Sequence, residues 1–216
     1  MKNIKTKKSI IWDWNGTLLN DAELALFSIN VMLKKRLLPT LSLTEYKQVF
    51  NFPVKDYYLR IGFDFEKESW NDAANEFIEL YYQNLSNYGL HPNTREVLQY
   101  FHNQNYFQVI VSASEQEVLR KAVEDFGIQK YFNHITGIEN HYADSKLFNA
   151  QNMMKHYKLQ PKEVWLVGDT LHDFDVAKEL GCQCILVSQG HQSRERLRQS
   201  KAIVVENLEN VISIIE

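Results

Sequence analysis

Residues 9–20 have the sequence Ser9-Ile10-Ile11-Trp12-Asp13-Trp14-Asn15-Gly16-Thr17-Leu18-Leu19-Asn20. A short apolar run, typical of a buried strand, ends at the carboxylate of Asp13. An amide, a glycine and a hydroxyl follow within four residues. In open α/β sheets, ligands bind in the crevice outside the carboxyl ends of the strands. The stretch therefore predicts a strand that presents Asp13 at a functional edge of a sheet.

Length and composition narrow the classes of protein that fit. The 216 residues suit one core domain with a modest insertion. A net charge of -3 gives no broad basic face for nucleic acid, and no apolar run reaches the roughly 18 residues of a membrane span. The chain starts with a basic stretch that we expect to be a solvated tail, and it lacks the apolar segment of a secretory signal. We therefore expect a cytoplasmic protein without nucleic-acid or membrane partners. The basic residues of the tail are Lys2, Lys5, Lys7 and Lys8.

Residues 21–88 show helical patterns and no strand signal. Apolar residues recur at helical spacing from Leu26 to Leu37, and Pro39 ends this first pattern. The predicted helices cover 22–38, 42–50, 54–61 and 69–88.

From residue 91 onward, predicted strands alternate with predicted helices. The strands cover 107–112, 135–138, 164–167, 182–187 and 202–205. The helices cover 92–101, 114–126, 145–157, 173–180, 192–198 and 208–215, and a capping box, Ser114-Glu115-Gln116-Glu117, opens the second of them. This alternation predicts a doubly wound, Rossmann-like parallel sheet. The simplest arrangement puts strand 9–13 in the same sheet. The result is an α/β core domain of 1–19 and 90–216, with a helical cap domain, 20–89, inserted after the first strand.

Three predicted strands end in polar groups, namely Asp13, Ser112 and Asp169. In a parallel sheet these tips share one edge. Lys146, in Asp144-Ser145-Lys146, begins a predicted helix between the second and third tips, and Asp173 follows Asp169 by four residues. Phosphoryl transfer uses such a set: a carboxylate nucleophile, carboxylates for Mg²⁺, and a lysine, a hydroxyl and main-chain N–H groups for the phosphoryl oxygens.

The same residues resemble the motifs of the haloacid dehalogenase-like hydrolases. Residues 10–17 are similar to the first motif, whose usual form is Asp-x-Asp-Gly-Thr, and residues 109–112 resemble the second. Lys146 stands as the third motif, and residues 168–173 are similar to the fourth, Gly-Asp-x-x-x-Asp. A helical insertion directly after the first motif resembles the cap of the phosphoglycolate phosphatase-like branch.

The resemblance implies a Mg²⁺-dependent phosphatase for a small phosphorylated metabolite, with Asp13 as nucleophile and metal ligand. Asp169 is then a second metal ligand, and the main-chain carbonyl of Asn15 a third. Asp173 holds a metal-bound water or Lys146. The phosphoryl group is held by Ser112, the adjacent Ala113 and Lys146, and the cap closes over the site.

Asn15 departs from the pattern, because family phosphatases usually have Asp at this position. That Asp protonates the leaving group and then helps to deprotonate the attacking water, which an amide cannot do. Four readings stay open. The substrate's leaving group needs no proton, as in acyl phosphates; another group, such as a cap residue or His172, serves; Asn15 is an introduced substitution that traps a phosphorylated state; or the protein binds a phosphorylated ligand without turnover. A metal-independent haloacid dehalogenase is a further alternative, although that branch typically has a bulky aromatic residue at this position.

The predicted cap is rich in aromatic residues, which we expect mainly to pack its helices. Lys55 and Arg60 follow a break at residues 51–53, in a part of the cap that often faces the site in similar proteins. One hypothesis is that one of them contacts an anionic substrate; the alternative is a solvated helix face. Phosphoglycolate, a sugar phosphate and a nucleoside monophosphate all stay open as substrates. We expect a monomer.

Overall fold

The computed structural model describes residues 8–138 and 146–216. Part of the predicted tail (Lys2, Lys5 and Lys7) lies outside these residues, as do Asp144 and Ser145 at the predicted helix start. Within the described residues, six strands form one parallel sheet in the order β3-β2-β1-β4-β5-β6. Their bounds are β1 Ser9–Trp12, β2 Phe107–Glu115, β3 His134–Ile138, β4 Val164–Gly168, β5 Gln183–Val187 and β6 Ile203–Val205. The predicted α/β, doubly wound, Rossmann-like fold is confirmed.

Helices cover both faces of the sheet. The helices that follow the insertion are α5 Thr94–Asn103, α6 Gln116–Asp125, α7 Lys146–Tyr157, α8 Leu171–Leu180, α9 Arg194–Leu197 and α10 Glu209–Ile215. Side chains of β1 alternate between two apolar clusters, because successive residues of a strand point to opposite faces. Ile10 and Trp12 belong to one cluster and Ile11 to the other. This burial on both faces explains why the strand before Asp13 is wholly apolar after Ser9.

Four helices lie between β1 and α5: α1 Ala22–Lys35, α2 Leu43–Val49, α3 Val54–Arg60 and α4 Trp70–Asn84. They bury an apolar cluster of their own, built around Ile29, Leu33 and Tyr58. The two ends of this helical insertion lie side by side: the N–H of Asn20 donates to the carbonyl of Gly89 at 2.8 Å. We call α1–α4 the cap helices from here on.

The first cap helix ends at Lys35, three residues earlier than the sequence predicts. Leu37 adopts a left-handed backbone conformation with φ 56°, and the N–H of Leu38 reaches back to the carbonyl of Leu33 at 2.9 Å. This type of turn satisfies the last carbonyls of a helix. The apolar periodicity that continues through Leu37 therefore does not extend the helix.

The predicted capping box at Ser114 is wrong. Strand β2 continues to Glu115, and α6 begins at Gln116 without a side-chain cap. The hydroxyl of Ser114 donates instead to the side-chain oxygen of Asn15 at 2.6 Å. Ser114 is thus a residue of the strand edge rather than of a helix start.

Among the described helices, none combines the length and apolarity that a bilayer crossing requires.

Candidate functional site

The two central strands place two carboxylates side by side. Trp12 at the end of β1 pairs with Val167 of β4, and the N–H of Asp13 donates to the carbonyl of Val167 at 2.9 Å. Asp169 directly follows β4. Both side chains are almost fully buried, with 8% of Asp13 and 1% of Asp169 exposed. The end of the sheet therefore carries two adjacent buried carboxylates.

Lys146, the first residue of α7, brings a buried ammonium to these carboxylates. Its Nζ donates to Oδ1 of Asp13 and, at 2.5 Å, to Oδ1 of Asp173. Burial opposes the charge of Lys146, but the two carboxylates outweigh it and raise the pKa of Lys146. The lysine is therefore charged and fixed between the tips of two strands.

Asp173 is held by the start of α8. Its Oδ2 accepts from the N–H and the hydroxyl of Thr170, at 3.0 and 2.6 Å, while the Thr170 hydroxyl oxygen accepts from the N–H of Asp173. This reciprocal capping arrangement leaves Oδ1 of Asp173 free to accept from Lys146. Burial works to raise the pKa of Asp173, but Lys146 and the capping hydrogen bonds lower it, so Asp173 stays ionised.

Thr17 joins the two strand-tip carboxylates. Its hydroxyl lies 3.0 Å from Oδ2 of Asp13 and 3.1 Å from Oδ1 of Asp169. A hydroxyl has one proton, so it donates to one of them at a time. The other oxygen of Asp169 accepts from the N–H of His191 at 2.6 Å.

Gly16 allows this close packing. Its φ is +74°, and a Cβ at this position would lie 2.3 Å from Oδ2 of Asp169. Both the left-handed backbone and the contact distance require glycine. The turn between β1 and the cap therefore has to pass directly against Asp169.

Three carboxylates form a potential cation site. Ligand atoms of Asp13, Asp169 and Asp173 lie within 4.8 Å of one another, and all three residues are buried. Burial raises the pKa of Asp13 to about 6, against the opposing effect of Lys146. Burial, opposed by His191 and reinforced by Asp13 and Asp173, raises the pKa of Asp169 to about 8. Lys146 pairs with two of these three carboxylates, and hard oxygen donors of this kind suit Mg²⁺.

These shifts predict how stability depends on pH. The folded state holds protons on Asp13 and Asp169 that the unfolded chain releases near pH 4, so the metal-free protein should lose stability as pH rises from about 4 to about 8. Added Mg²⁺ should raise the thermal midpoint more at pH 8 than at pH 5, because ionised carboxylates bind the cation. Thermal denaturation in EDTA and in Mg²⁺ at both pH values measures this. An equal effect of Mg²⁺ at the two pH values would contradict it.

The side chain of Asn15 is hydrogen-bonded at both ends. Its amide nitrogen donates to Oδ2 of Asp21 and to the hydroxyl of Tyr81, each at 2.9 Å. Its oxygen accepts from the hydroxyl of Ser114 at 2.6 Å. Tyr81 in turn donates to Oδ2 of Asp21 at 2.5 Å. An amide, which both donates and accepts, fits these partners.

Asp21 is the buried counter-ion of a histidine. Its Oδ1 lies 3.2 Å from Nε2 of His191 and accepts from the N–H of Gly16 at 2.6 Å. The other ring nitrogen of His191 shares a hydrogen bond of 2.8 Å with the hydroxyl of Tyr46 in α2. Burial works to lower the pKa of His191, but Asp21 outweighs it and raises this pKa to about 9. The cap helices and the sheet edge are thus connected by a charged pair.

The loop after α2 rests on the segment that begins α9. Arg196 and Gln192 both donate to the carbonyl of Phe50, the latter at 3.1 Å. Nζ of Lys47 donates to the carbonyl of Gln189 at 2.9 Å. These contacts position the cap helices above the carboxylates.

A cavity of about 430 Å³ lies between the cap helices and the strand tips. Its lining includes six of the site residues that the sequence predicts, namely Asp13, Asn15, Ala113, Lys146, Asp169 and Asp173. Ser112 is buried and does not line the cavity; its hydroxyl oxygen accepts from the N–H of Ser114 at 3.0 Å. Lys55 and Arg60 are exposed and lie outside the lining. The structure therefore does not bring these two cations to the cavity.

Sequence reasoning missed several residues that border the carboxylates: Asp21, Ser114, Tyr46, Tyr81 and His191. The pair of Asp21 and His191 joins residues 170 positions apart, so no local pattern marks it. For Ser114, the sequence did contain a signal. Extending the predicted strand 107–112 by three residues would have placed Ser114 at the sheet edge.

The fold and the site together define a class of hydrolases. Its features are a doubly wound sheet with carboxylates after the two central strands, a lysine between them, and a helical insertion after the first strand. Residues 10–187 match the family model described as haloacid dehalogenase-like hydrolase. The chain belongs to this family, as the resemblance of its motifs predicts.

Named relatives and solved structures agree with the branch that the sequence predicts. The phosphoglycolate phosphatase of Nitrosococcus oceani is 23% identical over 208 residues, 92% of this chain and 91% of that protein. The phosphoglycolate phosphatase of Vibrio vulnificus is 23% identical over 146 residues, 66% of this chain and 64% of that protein. The match therefore spans somewhat less than two thirds of the Vibrio protein.

A crystal structure from Haemophilus somnus, described as a predicted phosphoglycolate phosphatase, has a TM-score of 0.77 at 21% identity and covers 99% of this chain and 100% of its own. A haloacid dehalogenase-like hydrolase from Streptococcus pneumoniae has a TM-score of 0.74 at 17% identity, covering 97% and 99%. At these identities the two structures support the fold. The predicted membership of this hydrolase family is confirmed, and the named relatives are phosphatases.

Proposed function

We propose that this chain is a Mg²⁺-dependent phosphatase that hydrolyses a small phosphorylated compound through an aspartyl phosphate on Asp13. The observation that carries the proposal is the convergence of Asp13, Lys146, Asp169 and Asp173 at one buried sheet edge under a cavity. The names of the relatives support the same chemistry. The proposed division is an α/β core of 1–19 and 90–216 with a cap of 20–89.

Asp13 is the proposed nucleophile because Lys146 orients one of its oxygens at the sheet edge and the Thr17 hydroxyl, shared with Asp169, contacts the other. A carboxylate oxygen of Asp13 attacks phosphorus, and the bond from phosphorus to the leaving oxygen breaks with its electron pair on that oxygen. Water then attacks phosphorus, the bond to Asp13 breaks, and phosphate leaves while the carboxylate is regenerated. This two-step route replaces one difficult displacement by two easier ones.

Lys146 neutralises charge on the transferring group, and Ala113, which lines the cavity at the edge of β2, is the proposed contact for its oxygens; Ser112 lies outside the lining and supports this edge through its hydrogen bond with Ser114. Asp173 acts as a positioning residue for Lys146. Asp13, Asp169 and the main-chain carbonyl of Asn15 are the proposed Mg²⁺ ligands. When bound there, the cation supplies positive charge next to the phosphoryl oxygens.

Asn15 limits the substrates that turn over well. Its amide has no proton to give to a leaving oxygen, and general acid catalysis contributes about 10²–10⁴-fold. We expect acyl phosphates and esters of acidic alcohols to react faster than esters of simple alcohols.

Asp169→Asn should lower phosphate release by about 10²–10³-fold, because it removes a cation ligand at the phosphoryl site. The assay measures phosphate release from acyl phosphates and phosphate esters, in Mg²⁺ and in EDTA. Asp175→Asn is the matched control, since Asp175 is exposed on α8. Turnover that is unaffected by both EDTA and Asp169→Asn would contradict the proposed cation dependence. No turnover of any compound would favour a protein that binds a phosphorylated ligand without hydrolysing it.

A further inference from the structure

The cavity above Asp13 differs between its two sides. Its volume of about 430 Å³ lies in the range of small-molecule sites, roughly 300–1,000 Å³. The sheet edge contributes the carboxylates and Lys146. The cap helices and the loop after α2 contribute mainly aromatic and aliphatic side chains, including Phe50, Phe77 and Ile78. The phosphoryl group belongs at the charged side, so the cap side has to receive the leaving group.

Among the described lining residues, no lysine or arginine is spare for a second anionic group. Lys146 is the sole lysine or arginine among the described lining residues, and Asp13 and Asp173 already pair with it. Both ring nitrogens of His191 are occupied, by Asp21 and Tyr46. A carboxylate on the leaving group would be buried without a partner, which is costly.

The remaining charge in the lining has the wrong sign for an anionic leaving group. Glu115, at the end of β2, lines the cavity; Asp21 also lines it, but its charge is neutralised by His191. Like charges in a partly desolvated site repel strongly. The described lining therefore disfavours a leaving group that carries a carboxylate or a second phosphate.

Aromatic faces border the leaving-group side. Phe52, in the loop before α3, stacks on His172 of α8 with ring centroids 4.8 Å apart and planes 30° apart. Phe50 packs near His191, with centroids 5.2 Å apart. These ring pairs join the cap helices to the sheet edge. Flat aromatic walls favour a ring as the ligand, because rings stack and pack edge-to-face on one another.

We propose that the substrate's leaving group is uncharged and carries an aromatic ring. The proposal rests on the proposed phosphatase function, which places the phosphoryl group at Asp13 and Lys146. It argues against phosphoglycolate as the natural substrate, because the carboxylate of phosphoglycolate would have no cation.

The test compares two rings of nearly equal shape that differ in charge. The wild-type protein should hydrolyse 4-carbamoylphenyl phosphate with a kcat/KM at least tenfold higher than that for 4-carboxyphenyl phosphate. It should also prefer the carbamoyl compound over 2-phosphoglycolate. Equal values for the pair, or a preference for either carboxylated compound, would overturn the proposal.

Binding separates this proposal from the proposed function. (4-Carbamoylbenzyl)phosphonate and (4-carboxybenzyl)phosphonate cannot be hydrolysed, and titration calorimetry should show at least tenfold tighter binding of the first. Selective binding without turnover of any phosphate would retain the leaving-group proposal and reject hydrolysis. Hydrolysis of phosphates with equal binding of the two phosphonates would retain the proposed phosphatase function and reject the leaving-group proposal.

Discussion

Lys146→Met is expected to abolish phosphate release and to lower the free energy of unfolding by about 3–5 kcal/mol in EDTA. Lys146 is 6% exposed and pairs with both Asp13 and Asp173. Methionine keeps the length of the side chain but leaves two buried carboxylates without a cation. The loss should be largest above pH 6, where the remaining carboxylates are ionised, and smaller in Mg²⁺.

Urea denaturation of the wild type and the variant at pH 8 measures this effect. Lys155→Met is the matched control, because Lys155 is exposed on the same helix and should change stability by less than about 0.5 kcal/mol. If Lys146→Met and the control lose the same stability in EDTA, Lys146 does not neutralise the buried carboxylates, and the electrostatic description of the site is wrong.

Asn15→Asp is expected to lower stability by about 3 kcal/mol at pH 8 and not to improve catalysis. The amide nitrogen of Asn15 donates to Asp21 at 2.9 Å, so the substitution would place two carboxylates in contact. Such a pair retains a proton and is strained in its ionised form. Restoring the usual family residue at this position therefore conflicts with this chain's own Asp21.

The double variant Asn15→Asp with Asp21→Asn exchanges the two groups and should recover part of the stability, because it relieves the contact between carboxylates but leaves His191 without its counter-ion. An amide at position 21 can donate to a carboxylate at 15 and still accept from the N–H of Gly16. With a carboxylate restored at 15, kcat on esters of simple alcohols should rise by about 10²-fold. The two single variants and the double variant form a cycle that measures the coupling. Additive losses of stability would show that positions 15 and 21 do not interact.

The carboxylates of the site could be located from sequence because they follow apolar runs. A strand buried on both faces, such as β1, has to end where its polar residues begin, and parallel strands end at one edge. Asp13 and Asp169 are adjacent for this reason. Lys146 was found by its place in the order of motifs, and its contacts with Asp13 and Asp173 follow from the path of α7 across the sheet.

The cap side could not be derived in the same way. Lys55 and Arg60 lie on a helix whose orientation depends on how the cap helices pack, and the structure turns both toward solvent. The contact of His191 with Asp21 depends on two distant loops meeting at the sheet edge. Sequence periodicity describes single helices and strands, so it contains no information on such contacts.

The phosphorylation of Asp13 is the central claim, and trapping the phosphoenzyme tests it most directly. The protein is mixed with ³²P-labelled acetyl phosphate and Mg²⁺, quenched in acid, and mapped by mass spectrometry of its peptides. Because Asn15 cannot help to deprotonate the attacking water, the intermediate should accumulate. We expect a hydroxylamine-sensitive label on Asp13 that is absent from Asp13→Asn. Undiminished phosphate release by Asp13→Asn, with no label on Asp13 in the wild type, would contradict the account.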